Sequence, residues 1–273
     1  MRYTRLAAAL SLLTAACASA PVATREQPLR VMSYNIQYGN EGLDSVIAVV
    51  RAERPDIVGL QELDVHWGER SSFVNQAELL AKGTGMESRF APIYRIPNAD
   101  PTKPPREFGV GVLSRYPIVS FRNHVIARLS TQEENPVPKP LPGFLEATID
   151  VNGTKVRVFA VHLDYRPDPK VRVQQVSDML AVMGASTGPT LMLGDMNAPP
   201  DASELVPLLQ RLRDTWPSKQ GPGLTYSAKT PVKRIDYVLI SDAFRVSKTW
   251  VTQVYASDHF PVVVNLVLTK PLQ

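Results

Sequence analysis

Six apolar runs of strand-like length recur along the chain, and each abuts a side chain able to donate, accept or carry a proton. Residues 29–34 lead into Asn35, residues 56–61 into Glu62, residues 156–161 into His162 with Asp164 just beyond, and residues 189–194 into Asp195 and Asn197. In the last two runs the order reverses: Asp236 precedes Val238-Leu239-Ile240, and Asp258-His259 precedes Val262-Val263-Val264. Short runs rich in β-branched residues are strand signals. Strands that carry polar groups at their ends are how an α/β scaffold assembles one site from distant sequence.

Between these runs the apolar spacing is helical. Leu43, Val46, Ile47 and Val50 predict a helix that Pro55 must end, Val171, Gln175, Met179 and Val182 a second, and Leu205, Leu208, Leu209 and Leu212 a third. Two strand-like runs, 144–151 and 155–163, flank Asn152-Gly153, the dipeptide best suited to a tight hairpin turn. Hairpin and strand–helix alternation together predict mixed sheets. Residues 94–106 and 130–143 hold four prolines each and read as long loops. Gly109-Val110-Gly111 lies inside an apolar strand and lacks the third glycine of a dinucleotide fingerprint, so it is read as strand packing.

The chain has 273 residues, enough for one large domain over residues 29–270, behind a leader (1–20) and a short tether (21–28). Its formal charge of +4 falls to +2 without Arg2 and Arg5, an excess that neither demands nor excludes a nucleic-acid partner. Arg2 and Arg5, the apolar stretch 6–16 and the small residues Ala18-Ser19-Ala20 read as an export signal too short to span a bilayer. The single cysteine, Cys17, follows Leu13-Thr14-Ala15-Ala16, which resembles the cleavage box of bacterial lipoproteins, with Thr14 where an aliphatic residue is commoner. That resemblance implies a lipidated Cys17 and membrane attachment; plain cleavage after Ala18 or Ala20 is the alternative. Either way the protein is expected outside the cytoplasm, in the periplasm or cell envelope or secreted, with neither a disulfide nor a catalytic thiol. The sequence shows no obligate protein partner.

Over residues 29–268 the ordered set Asn35, Gln61-Glu62, His162-Leu163-Asp164, Gly194-Asp195-Met196-Asn197, Asp236-Tyr237 and Ser257-Asp258-His259 resembles the endonuclease/exonuclease/phosphatase superfamily, in particular its small bacterial metal-dependent hydrolases. The resemblance implies an α/β fold, a four-layer α/β/β/α sandwich of two mixed sheets like deoxyribonuclease I. It also implies hydrolysis of a phosphate ester, nucleic acid or lipid headgroup, with a diester favoured over a monoester and a non-catalytic binding module as the rival class. Oxygen donors without thiol suit Mg2+ or Mn2+. The implied metal set is Asn35, Glu62, Asp195 and Asp258. His259, oriented by Asp236, is the implied general base, Asn197 and His162 contact the phosphoryl group, and Asp195 holds an ion or the attacking water. Arg70, Arg106 and Arg166 are candidate phosphate clamps, Arg166 foremost, with Asp164 as a partner that orients His162 or Arg166. His66 and His124 match no motif and are expected to be structural.

Overall fold

The computed structural model describes residues 24–185 and 188–271. Its strands are β1 (Thr24–Asn35), β2 (Ile57–Val65), β3 (Glu87–Ile96), β4 (Arg106–Ser114), β5 (Ile118–Arg128), β6 (Lys139–Val151), β7 (Thr154–His162), β8 (Thr190–Asp195), β9 (Arg213–Asp214), β10 (Asp236–Ile240), β11 (Phe244–Val251) and β12 (Val262–Pro271). The helices are α1 (Leu43–Glu53), α2 (Gln76–Thr84), α3 (Lys170–Met183) and α4 (Val206–Arg211). The strands form two six-stranded sheets, ordered β11-β12-β1-β2-β4-β3 and β5-β6-β7-β8-β10-β9. Each sheet contains one parallel pair, β1/β2 and β7/β8, among antiparallel neighbours.

Three apolar layers hold the sandwich together. Val31, Ile57, Val110 and Val112 of the first sheet meet Ala147, Val158, Leu193 and Val238 of the second. The opposite face of the first sheet, with Met32, Tyr34, Val58 and Leu60, is covered by α1 and α2; that of the second, with Phe159, Val161 and Met192, by α3 and α4. This is the expected four-layer α/β/β/α order. Gly59 lets the sheets approach closely, because a Cβ there would lie 2.3 Å from Cβ of Leu193.

The local signals translate directly. Helix α1 ends at Arg54 in the left-handed region, immediately before Pro55, and Asn75 caps α2 by accepting the Glu78 N–H. Asn152 and Gly153, both at positive φ, turn β6 into β7. The proline-rich stretches are shorter than expected, because Ile96 pairs with Arg106 and Arg128 with Lys139. The tether is also shorter than expected: from Thr24 to Pro28 the chain already pairs with residues 267–271 of β12. That pairing depends on a partner strand some 240 residues away, which composition does not reveal. Residues 1–23, including the leader and Cys17, lie outside the described residues.

Gly109, read above as strand packing, sits on β4 where a Cβ would lie 2.1 Å from the carbonyl oxygen of Ala91. A backbone atom cannot move aside as a flexible side chain does. Gly109→Ala is therefore expected to destabilise the protein by about 2–3 kcal/mol, measured by urea denaturation with an unchanged m-value.

Candidate active site

In each parallel pair a helix crosses from one strand to the next, so both C-terminal ends emerge at the same edge, where open α/β sheets bind ligands. Asn35 and Gln61 are register partners at the ends of β1 and β2, and His162 and Asp195 at the ends of β7 and β8. Antiparallel β10 starts at this edge, with Asp236 opposite Asp195. A bulge in β2 between Leu60 and Leu63 re-aims Glu62, which sits at φ 60°. The loop ahead of β12 supplies Asp258 and His259.

The side chains converge on a cleft of about 650 Å3, lined by Glu62, His162, Asp195, Asn197, Asp258 and His259. Asn35 lies beneath them, fully buried. Its Nδ2 donates to Glu62 Oε1 and to Asp195 Oδ2, both at 3.0 Å, while its Oδ1 accepts the Gln37 N–H. Asn35, expected among the metal ligands, is placed with its amide nitrogen toward two carboxylates and its oxygen toward the Gln37 N–H. His259 Nδ1 is 2.8 Å from Asp236 Oδ2, and its Nε2 is 3.7 Å from Asp195 Oδ2. From the other side His162 Nε2 comes to 3.6 Å from the same oxygen and 4.0 Å from Glu62. Asn197, at φ 49°, donates its N–H to Asp195 Oδ1 and its amide to the Leu163 carbonyl while lining the cleft.

Arg166 departs from its expected role as a phosphate contact. Its guanidinium is paired with Asp164 and reaches the carbonyls of Leu129 and Ser130, and it does not line the cleft. Asp164 accordingly serves Arg166 and not His162. His66 and His124 are structural, bonded to the Phe73 carbonyl and to Glu146.

Four further residues support the site; three carry no motif, and Ser257 lies in one without an assigned role. The Tyr226 ring packs 4.7 Å from the imidazole of His259, and the Thr225 hydroxyl accepts the N–H groups of Ile235 and Asp236. Ser257 Oγ donates to the Asn35 carbonyl and accepts the His259 N–H. Arg128 is a buried guanidinium satisfied by backbone oxygens of Pro142, Gly143 and His162, the last at 2.9 Å. None of these roles was recoverable from spacing, because each is exercised through a tertiary contact.

The electrostatics describe an excess of negative charge. Burial pushes the Glu62 carboxyl up, and burial together with Asp236 raises Asp195 to about 6. Burial alone would lower His259, but the carboxylates of Asp236 and Asp195 override it and raise the imidazole to about 10. His162, with less carboxylate support, is held below its ordinary value by burial. Among the described residues no Lys or Arg forms an ion pair with Glu62, Asp195 or Asp258. Asp195, Asp236 and His259 place ligand atoms within 4.8 Å of one another, but His259 Nδ1 and Asp236 Oδ2 are engaged with each other. The oxygens left facing the cleft belong to Glu62, Asp195 and Asp258. An uncompensated set of hard oxygen donors fits a divalent cation.

A cleft of carboxylates and imidazoles at the edge of two packed sheets defines a class, the sandwich-fold hydrolases of phosphate esters. The model of the endonuclease/exonuclease/phosphatase family matches residues 32–259, and the chain belongs to that family, whose members generally depend on a divalent metal. It is similar to the endonuclease/exonuclease/phosphatase from Beutenbergia cavernae DSM 12333, with 27% identity and a TM-score of 0.69 over 88% of this chain and 72% of that one. A mannosyl-6-phosphatase from Bacteroides thetaiotaomicron VPI-5482 (18% identity, TM-score 0.64, 88% and 100% covered) shares the fold. So does the human Nocturnin catalytic domain, solved with bound sulfate (20%, 0.62, 89% and 96%). No curated protein matches the chain.

The His259–Asp236 pair makes a prediction with a definite sign. The imidazole is raised, so in metal-free protein its contribution to stability is complete below pH 6.5 and lost as pH rises through about 10. Asp236→Asn is expected to move the His259 titration down, followed by NMR of the ring nitrogens, and to flatten the decline of melting temperature between about pH 7 and 10. An unmoved titration would remove Asp236 as the partner.

Proposed function

We propose that the protein is an exported phosphodiesterase dependent on Mg2+ or Mn2+. The observation that carries this reading is the Asp236–His259 pair aimed at Asp195 beside the cleft carboxylates Glu62 and Asp258. Asp236 fixes the imidazole with Nε2 as its free atom, and a cation neutralising the carboxylates that hold a proton on His259 would let that atom take a proton from water. Asn197 and His162 line the wall where donors to the phosphoryl oxygens and the leaving oxygen are needed. Glu62, with Asp258 and Asp195, would hold the cation, which supplies positive charge for the phosphoryl oxygens.

Charge supports a diester over a monoester, because a singly charged ester meets less repulsion from these carboxylates than a dianion. A long nucleic acid is less supported. Of the cations able to form a basic groove, Arg166, Arg172, Arg234 and Lys170 are paired with Asp164, Glu204, Asp214 and Asp168. The cleft is also lined by Pro199, Pro200, Pro222 and Leu224, by Tyr165 and Val232, each more than 60% exposed, and beside them by Lys233 and Arg234. The sequence suggested no such lip. It supports a lipid headgroup diester or another ester with an apolar body.

Leaderless protein with Mg2+ is expected to hydrolyse one class in a panel of DNA, RNA, sphingomyelin, glycerophospholipids and phosphomonoesters. Turnover should fall at least 100-fold in His259→Ala and in Asp195→Ala, and chelation should abolish it. Turnover of monoesters alone would overturn the diester assignment. No turnover with either metal would favour a binding module. Export is tested separately: mass spectrometry of the membrane fraction should find a lipidated Cys17, and an unmodified N-terminus at Ser19 or Pro21 would exclude the anchor.

A further inference from the structure

Three arginines were candidates for holding phosphate, and the structure separates them. Arg166 is turned from the cleft onto Asp164 and two carbonyl groups. Arg70 stands on the short helical turn Glu69–Ser71. Its Nε and Nη2 bind both oxygens of the buried Asp64 at 2.8 Å each, a fork that leaves both N–H groups of Nη1 without an acceptor among the described residues. The guanidinium is wedged among rings, 4.1 Å from the centroid of Tyr38, 5.3 Å from Trp67 and 5.6 Å from Phe108, with 38% of the side chain exposed. A buried amide completes the mount: Gln76 Oε1 accepts the Asp64 N–H, and Gln76 Nε2 donates to the Tyr38 carbonyl at 2.6 Å.

Arg106 lies 5.9 Å from the same Trp67 ring, with no carboxylate partner among the described residues. Arg70 and Arg106 therefore share one indole as a neighbour. Asp64 is two residues from Glu62 on β2, and the positive charge of Arg70 bears on the Glu62 carboxyl, so this cluster belongs to the catalytic edge. Beyond it a groove of about 770 Å3 is lined by Arg70, Lys82, Arg51, Asn40, Ser71 and Ser72.

We infer that Arg70 and Arg106, clamped on Tyr38 and Trp67, form an anion subsite beside the cleft that takes a second phosphate of the substrate. The inference rests on the phosphodiesterase reading and narrows it to diesters carrying a further phosphate near the scissile one. A guanidinium already fixed by a carboxylate and flanked by rings loses little freedom on binding an oxyanion, and its free edge presents two donors. Arg106 supplies charge that Asp64 does not neutralise.

The kinetic test compares thymidine 5′-(p-nitrophenyl phosphate) with its 3′-phosphorylated analogue. Wild type should show a KM about tenfold lower for the analogue, and in Arg106→Gln the ratio should fall toward one. Arg70→Lys, which keeps the charge beside Asp64 but loses the fork, should also collapse it. Equal KM values in wild type, or an unchanged ratio in both variants, would overturn the inference. The binding test does not depend on turnover. His259→Ala protein with Mg2+ is titrated with thymidine 3′,5′-bisphosphate and with the 5′-monophosphate, and separately mixed with phosphatidylcholine vesicles with and without phosphatidylinositol 4-phosphate. A preference for bisphosphate or for phosphoinositide vesicles that disappears on adding Arg106→Gln supports the subsite and identifies a soluble or a lipid source. No preference in either arm refutes it. If neither diester is hydrolysed while the binding preference holds, the failure lies with the phosphodiesterase reading and the subsite stands.

Discussion

One amide joins the two halves of this protein at the place where they must work together. Asn35 stands at the end of the first sheet, and its Nδ2 carries one hydrogen for Glu62 on the neighbouring strand and one for Asp195 across the sandwich, 160 residues away in sequence. Without that donor two carboxylates would face each other in a buried place, and repulsion would drive the sheet edges apart. With it, Asp195 becomes a fixed point that both imidazoles approach from opposite sides, His162 at 3.6 Å and His259 at 3.7 Å. Ser257 adds a second tie by donating to the Asn35 carbonyl, so the loop that carries His259 is referred to the same residue.

The edge is arranged against stability. Asp236 is buried with Oδ1 unpartnered, Arg128 is buried with only backbone oxygens for company, and Glu62 occupies a left-handed backbone position. Such features cost free energy and persist where surrounding structure over-determines them. Here the surroundings are the bulge in β2, the buried carbonyl oxygens that satisfy Arg128, and the Thr225–Tyr226 segment packed against Asp236 and His259. Glu62, Asp195 and His259 all have raised proton affinity, the acids through burial and His259 through the concentrated carboxylates, and the same concentration of negative charge without cationic side chains suits a multivalent cation.

The sequence made the frame of the site legible because strands stop abruptly. A polar residue next to a β-branched run is a local signal, and Glu62, His162, Asp195, Asp236 and His259 were all found by it. The Asn152–Gly153 turn is similarly local, since only a few dipeptides accept two positive φ angles. What could not be read were relationships made in space. Asn35 carries the right signal, but whether its oxygen or its nitrogen faces the acids depends on the Gln37 N–H. Arg166 has the right position and is turned away by Asp164, an acid in its own motif. Tyr226 lies in a proline- and glycine-containing segment that reads as loop, and Arg128 is one arginine among many until three carbonyl groups close on it.

Strand β1 runs from Thr24 to Asn35, and Asn35 lies under the cleft, so the chain enters the sandwich at the end farthest from the chemistry. Twelve residues of strand span roughly 36 Å. Whatever holds the chain by the start of its first strand therefore stands at the opposite end of the sandwich from the cleft, and the mouth of the site faces away from that point.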